Sequence, residues 1–332
     1  MKKFWKPSSA IGVGLGVGVA GALMLGIRHG FRRFLPEPLP DSLSPESFST
    51  RVCQTSQGEI VYHVCGTGSP MVFLHHPCIG GSSFEWAKVY PAFVKNHEVL
   101  ALDLPGFGES ERPRMALSPE NYGRALADFL HVLCPGQPAT IVASGLSAGL
   151  ALLLAAQHPE TVSHLILFSP VDPAGHRPHA PGIFRMPGPR ILWNVVYQNH
   201  FARKPFLRGW LAREGVSSSD RVTDEMVQAF STCALQYGAE HAIFRMASRR
   251  WKLDFREFIS RVIHPMLVVT PSGEPGGACE GMVRAVRSLS HVRHREISAS
   301  GFFLALDDPE ACIEILRQEV EFGLRPLDPH GV

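Results

Sequence analysis

Ser147 stands in the run Gly145-Leu146-Ser147-Ala148-Gly149, a G-x-S-x-G pattern that makes its hydroxyl a nucleophile candidate. The stretch 140–143 before it, Thr-Ile-Val-Ala, reads as a strand, and residues 148–157 after it read as a helix. A sharp turn between the two needs small residues at its flanks, because strand and helix must approach closely. The turn then projects the serine hydroxyl above the sheet, at the positive end of the helix.

The elements that would position this serine follow a regular order. Residues 48–55 and 59–65, joined at Gln57-Gly58, form a hairpin pattern. Apolar β-type runs follow at 71–75, 99–103, 140–143, 164–168, 266–270 and 292–297. Helical patterns lie at 84–94, 119–133, 147–157, 278–290 and 309–323. Alternating β and α units imply an α/β class with a mostly parallel sheet covered by helices on both faces. Between residues 170 and 262 the alternation stops, leaving Pro-rich loop and helical patterns that suit an inserted cap after the sixth strand. The expected organisation is an anchor at 1–34, a Pro/Ser-rich linker at 35–47, a core at 48–172 and 262–325, and a helical cap at 173–261.

Two further segments agree with the turn at Ser147. Leu74-His75-His76-Pro77, followed by Gly80-Gly81-Ser82-Ser83-Phe84-Glu85-Trp86, resembles an HG-x oxyanion loop and the helix after strand three. Asp103-Leu104-Pro105-Gly106-Phe107-Gly108-Glu109-Ser110 resembles a D-x-P-G-x-G-x-S turn after strand four. These motifs, in this order, resemble the α/β-hydrolase superfamily over roughly residues 48–325. More narrowly, the run from Glu85 to Phe93 resembles a cyanobacterial and plastid group of α/β-hydrolase-like proteins, members of which lack parts of the triad.

The resemblance implies an α/β-hydrolase fold and a serine that attacks a carbonyl, a histidine that takes its proton and an acid that fixes the imidazole. Oxyanion donors would come from Ala148 and from the loop at His76, Pro77 and Cys78. The family's histidine position falls on Phe302, through Gly301 and Pro309, and its acid position falls on Gly276, after Gly273. Asp172 after the sixth strand is the alternative acid, with a plain turn before Pro173 as its other reading. His76 is the alternative base, being nearest Ser147 in the expected layout. Two functions follow. One is a membrane-anchored, serine-hydrolase-derived protein for an ester or lipid-like substrate, with a degenerate triad. The other is a non-catalytic scaffold of the same fold that binds a small molecule or a partner protein. In both, the expected ligand is a small apolar or ester-type molecule, and the oligomeric state stays open.

Composition narrows these classes. The 332 residues are 45% hydrophobic and 19% charged, as expected of a folded body with a sizeable core. A net charge of +2, with no dense basic run beyond residue 33, argues against a nucleic-acid partner. Seven scattered cysteines without a CxxC pair offer neither a disulfide framework nor metal-ligand spacing, so no metal is expected. No cofactor is expected either. The GxGxxG match at Gly16, Gly18 and Gly21 has no strand before it, and the Pro-rich stretch at Pro36, Pro38 and Pro40 follows it.

Residues 10–27 are uncharged and apolar, flanked by Lys2, Lys3 and Lys6 on one side and Arg28, Arg32 and Arg33 on the other. As a helix they span about 27 Å, close to the hydrocarbon thickness of a bilayer. The expected reading is a single-pass N-terminal anchor, with a secreted form after signal cleavage near Ala20-Gly21-Ala22 as the alternative.

Overall fold

A computed structural model of the chain describes residues 45, 47–113, 117–171, 190–247, 252–272, 279–286, 289–298 and 301–322. The anchor segment, Asp172 and Gly276 lie outside these residues. Among the described residues no helix is long and apolar enough to cross a membrane.

Eight strands form one sheet: β1 (Ser49–Thr55), β2 (Gly58–Cys65), β3 (Ser69–Leu74), β4 (His97–Leu102), β5 (Ala139–Ser144), β6 (Val162–Phe168), β7 (Met266–Pro271) and β8 (Val292–Ile297). Their spatial order is β1-β2-β4-β3-β5-β6-β7-β8. The hairpin β1–β2 and the β2–β4 pair are antiparallel. From β4 to β8 every neighbouring pair is parallel. The central strands are near-continuous Val, Ile and Leu runs, as a sheet buried on both faces requires. The fold is that of an α/β hydrolase.

Helices α1 (Pro119–Leu133) and α2 (Leu146–Gln157) flank β5 in sequence. Ser118 and Asn121 form a capping box at the start of α1, with Pro119 in the first turn where its missing N–H costs nothing. Helix α2 is apolar all round, and ten of its residues from Leu146 to Ala155 are buried, so it is a core helix. Beyond β6 the described chain is helical: α3 (Arg190–Val196), α4 (Lys204–Trp210), α5 (Asp224–Ala234) and α6 (Ala239–Ala247). Helix α7 (Glu280–Val286) precedes β8, and α8 (Leu304–Asp307) and α9 (Pro309–Phe322) follow it.

One helix expected from the sequence takes another form. Residues 84–94 make two short 3₁₀ turns, Ser83–Trp86 and Tyr90–Phe93, rather than one α-helix. Pro91 cannot donate an i→i−4 bond, and the local bonds Ala87 N–H to Phe84 O and Val89 N–H to Trp86 O have i→i−3 spacing. The aromatic residues of these turns still reach the core, where Trp86 and Tyr90 are fully buried beside Phe73.

Candidate functional site

The strand order turns outward in both directions from the β3–β5 pair, and in open α/β sheets such a switch point opens a crevice at the carboxyl ends of the strands. The site residues come from those ends. His75 and His76 follow β3, Ser147 opens α2 after β5, Ser169 follows β6, and Phe302 lies after β8.

Gly145 makes the turn at φ 58° and ψ −121°, a conformation that favours glycine. Space demands glycine as well, because a Cβ here would sit 2.1 Å from Nδ1 of His76. Ser147 is fully buried, and its hydroxyl donates to the carbonyl of His75 at 2.6 Å. The proton that a catalytic imidazole would remove therefore rests on a backbone oxygen.

His76 is fully buried too, with its ring held from several sides. The Leu146 N–H donates to its Nδ1 at 3.1 Å, so the neutral ring carries its proton on Nε2. The ring meets Phe302 edge-on at 5.0 Å and lies 5.8 Å from Phe303. Phe302 and Phe303 pack on each other, and Phe303 continues onto Trp210 and Phe230 from α4 and α5. An aromatic wall thus joins the loop after β8 to the helices inserted after β6. Ser169, at φ 44°, reaches across to donate its hydroxyl to the carbonyl of Phe302 at 2.7 Å.

The candidate oxyanion donors are unequally placed. The His76 N–H donates to the Glu85 carboxyl at 2.6 Å. Pro77 has no N–H to offer. The Ala148 N–H turns back to the Gly145 carbonyl at 3.3 Å. Cys78 is buried in the loop that closes through Gly81 N–H to Cys78 O. Phe302 brings an apolar ring to the position where a base is expected.

Glu85 is the site residue whose role the sequence did not announce. It is buried, and burial pushes its carboxyl up to about 7, while hydrogen bonds from Ser144 and the His76 N–H offset part of that cost. The second missed residue is His75. It donates through Nδ1 to the His76 carbonyl at 3.1 Å and accepts the Leu104 N–H at Nε2 at 3.0 Å, which fixes its tautomer. Burial lowers its proton affinity, with Asp103 and the His76 carbonyl pulling the other way. His75 therefore works as a neutral strut between the β3 and β4 loops.

Residues 71–315 match the model of the alpha/beta hydrolase family. A 108-residue stretch is 34% identical to an uncharacterised protein of Mycobacterium tuberculosis, covering 32% of this chain and 31% of that one. The match therefore spans about a third of that relative's length. Over 241 residues the chain is 26% identical to a 2-hydroxy-6-oxo-6-(2'-aminophenyl)hexa-2,4-dienoic acid hydrolase of Metapseudomonas resinovorans, covering 68% of this chain and 75% of that protein. Among solved structures, the epoxide hydrolase CorEH superposes with a TM-score of 0.69 at 17% identity, covering 84% of this chain and 100% of that one. The turn at Ser147, the sheet order and the family match agree: the chain belongs to the α/β hydrolase family and is hydrolase-type by descent.

Proposed function

We propose that the protein is a membrane-tethered, serine-hydrolase-derived member of the family with a degenerate triad. In this reading an ester- or lipid-like molecule is bound near the elbow without turnover through an activated Ser147. One observation carries it: the Ser147 hydroxyl donates to the His75 carbonyl while Phe302 packs on His76 at the expected base position. A serine is a weak nucleophile until a base takes its proton. His76 does not supply that base as it stands, because Leu146 N–H occupies Nδ1 and the other nitrogen bears the proton. Loss of a triad base ordinarily costs several orders of magnitude in rate. The tether is assigned to residues 10–27 on their length, apolarity and basic flanks.

The test uses the full chain in detergent with a fluorophosphonate probe and a series of p-nitrophenyl esters. The expected result is no Ser147 labelling and no turnover by the natural sequence, with labelling gained when Phe302→His and Gly276→Asp are combined. Labelling of the natural sequence that vanishes in Ser147→Ala would overturn the proposal. Membrane fractionation of a chain lacking residues 10–27 checks the tether, and the deleted form should leave the membrane pellet.

A further inference from the structure

Outside the set of residues gathered at Ser147, three metal-ligating side chains converge. His63 lies on β2, paired with Ala101 of the antiparallel strand β4. Asp103 follows β4 directly, and Glu109 sits in the turn beyond it. One ligand atom from each lies within 4.8 Å of the others. The imidazole is 1% exposed, and its Nε2 has no hydrogen-bond partner among the described residues. That nitrogen faces the Glu109 carboxylate at 4.0 Å, too far for a hydrogen bond.

The other ring nitrogen shows why this matters. Nδ1 of His63 lies 3.0 Å from the Thr50 hydroxyl. When Nδ1–H donates there, Nε2 is left with a lone pair close to the carboxylates of Asp103 and Glu109. Three electron-rich atoms then converge in a buried place, which is unfavourable until a cation joins them. A histidine metal ligand usually has its far nitrogen oriented by a hydrogen bond, and here the Thr50 hydroxyl is in place to take it.

Asp103 is anchored for the same role. It accepts the Ser83 N–H at 2.6 Å and the Glu109 N–H at 2.7 Å, one on each oxygen, and each oxygen keeps a further lone pair. Gly108, at φ 50°, passes so close that a Cβ would lie 2.0 Å from the carboxylate. The neighbouring Arg112 guanidinium is directed at the carbonyls of Gly108 and Ser110.

We infer that His63, Asp103 and Glu109 form a binding site for one divalent first-row cation such as zinc, bracing the turn at residues 103–111. A nitrogen and two carboxylates suit such an ion. Ligands on a tetrahedral zinc stand about 3.4 Å apart, given bonds of roughly 2.1 Å. The Glu109 side chain, 24% exposed, closes the remaining distance and admits a water as the fourth ligand. The role is structural. The braced turn supplies the Leu104 N–H that fixes His75 and the carboxylate that holds Ser83.

The test titrates zinc, and in parallel manganese and magnesium, into the EDTA-stripped full chain in detergent, in competition with a chromophoric chelator. Cobalt replaces zinc to give a visible spectrum of the site. One tight zinc site is expected, weakened at least tenfold by His63→Gln and by Glu109→Gln, and about tenfold by Thr50→Val. A raised Tm on zinc addition should vanish in the same variants. If His63→Gln fails to fold, Glu109→Gln on its partly exposed side chain decides. Absence of zinc binding, or zinc binding equal in the natural sequence and Glu109→Gln, would overturn the site and leave adventitious surface histidines as the binders.

Discussion

Glu85→Gln should remove a specific part of the protein's pH dependence. The folded carboxyl titrates at about 7 against an ordinary value of 4.5, because burial penalises its charged form. The sign follows directly. An acid whose folded pKa is raised stabilises the fold below its unfolded value, and that contribution fades as pH rises through the folded value. Between pH 5 and pH 8 the two values imply a loss of about 2–3 kcal/mol from this one group. Glutamine keeps a carbonyl to accept the His76 N–H and never ionises, so the variant should lack that loss. Thermal melts followed by tryptophan fluorescence, run on the full chain in detergent at pH 5 and pH 8, read the difference. At roughly 2 °C per kcal/mol for a body of this size, the natural sequence should lose about 5 °C more than Glu85→Gln between the two pH values. Parallel pH profiles for the two proteins would refute the assignment of a buried, proton-hungry Glu85.

Two substitutions test the packing of the site. Phe303→Ala empties a buried position ringed by His76, Trp210, Phe230 and Phe302, and should cost about 3–5 kcal/mol, read as a lower Tm; a change below about 1 kcal/mol would mean that the wall does not hold the inserted helices. Gly145→Ala adds a methyl 2.1 Å from Nδ1 of His76 at a backbone angle of φ 58°, and should cost about 3 kcal/mol or more, checked by the same melts; near-normal stability would contradict the observed turn.

The central strands were legible because each is an apolar run closed by turn residues, and β1 and β2 were legible as a hairpin pattern around Gln57-Gly58. The segment after β3 was less so. Its apolar spacing matched a helix, but Pro91 and local i→i−3 bonds divide it into 3₁₀ turns. The expectation at Ser147 came from the glycines around the turn, and that at Phe302 from its register with Gly301 and Pro309. Glu85 was visible only as part of a motif. A glutamate is ordinarily exposed, and nothing in its neighbours announces that the loop after β3 will fold its N–H onto it. The His63, Asp103 and Glu109 cluster was invisible for a different reason. Forty residues separate its first two members, and only the antiparallel register of β2 on β4 brings them together.

On the proposed reading of a degenerate triad, the departures from a working one are physically connected, and this bears on how activity could return. With histidine at position 76, an imidazole occupies the space beside Gly145 and takes the Leu146 N–H. Phe302 packs edge-on against that ring, and Phe303 extends the contact to the inserted helices. Fixing the backbone of residue 76 then falls to Glu85, whose burial is repaid by its hydrogen bond from His76 and by the proton it holds below about pH 7. A histidine restored at 302 would stand against the His76 ring, as Phe302 does. The aromatic packing that stabilises the loop thus also fills the position where the resemblance expects a base. Labelling gained through Phe302→His and Gly276→Asp should therefore be slow while His76 stays, and adding His76→Gly to that pair should make it faster. Equal labelling with and without His76→Gly would show that His76 does not obstruct the base position.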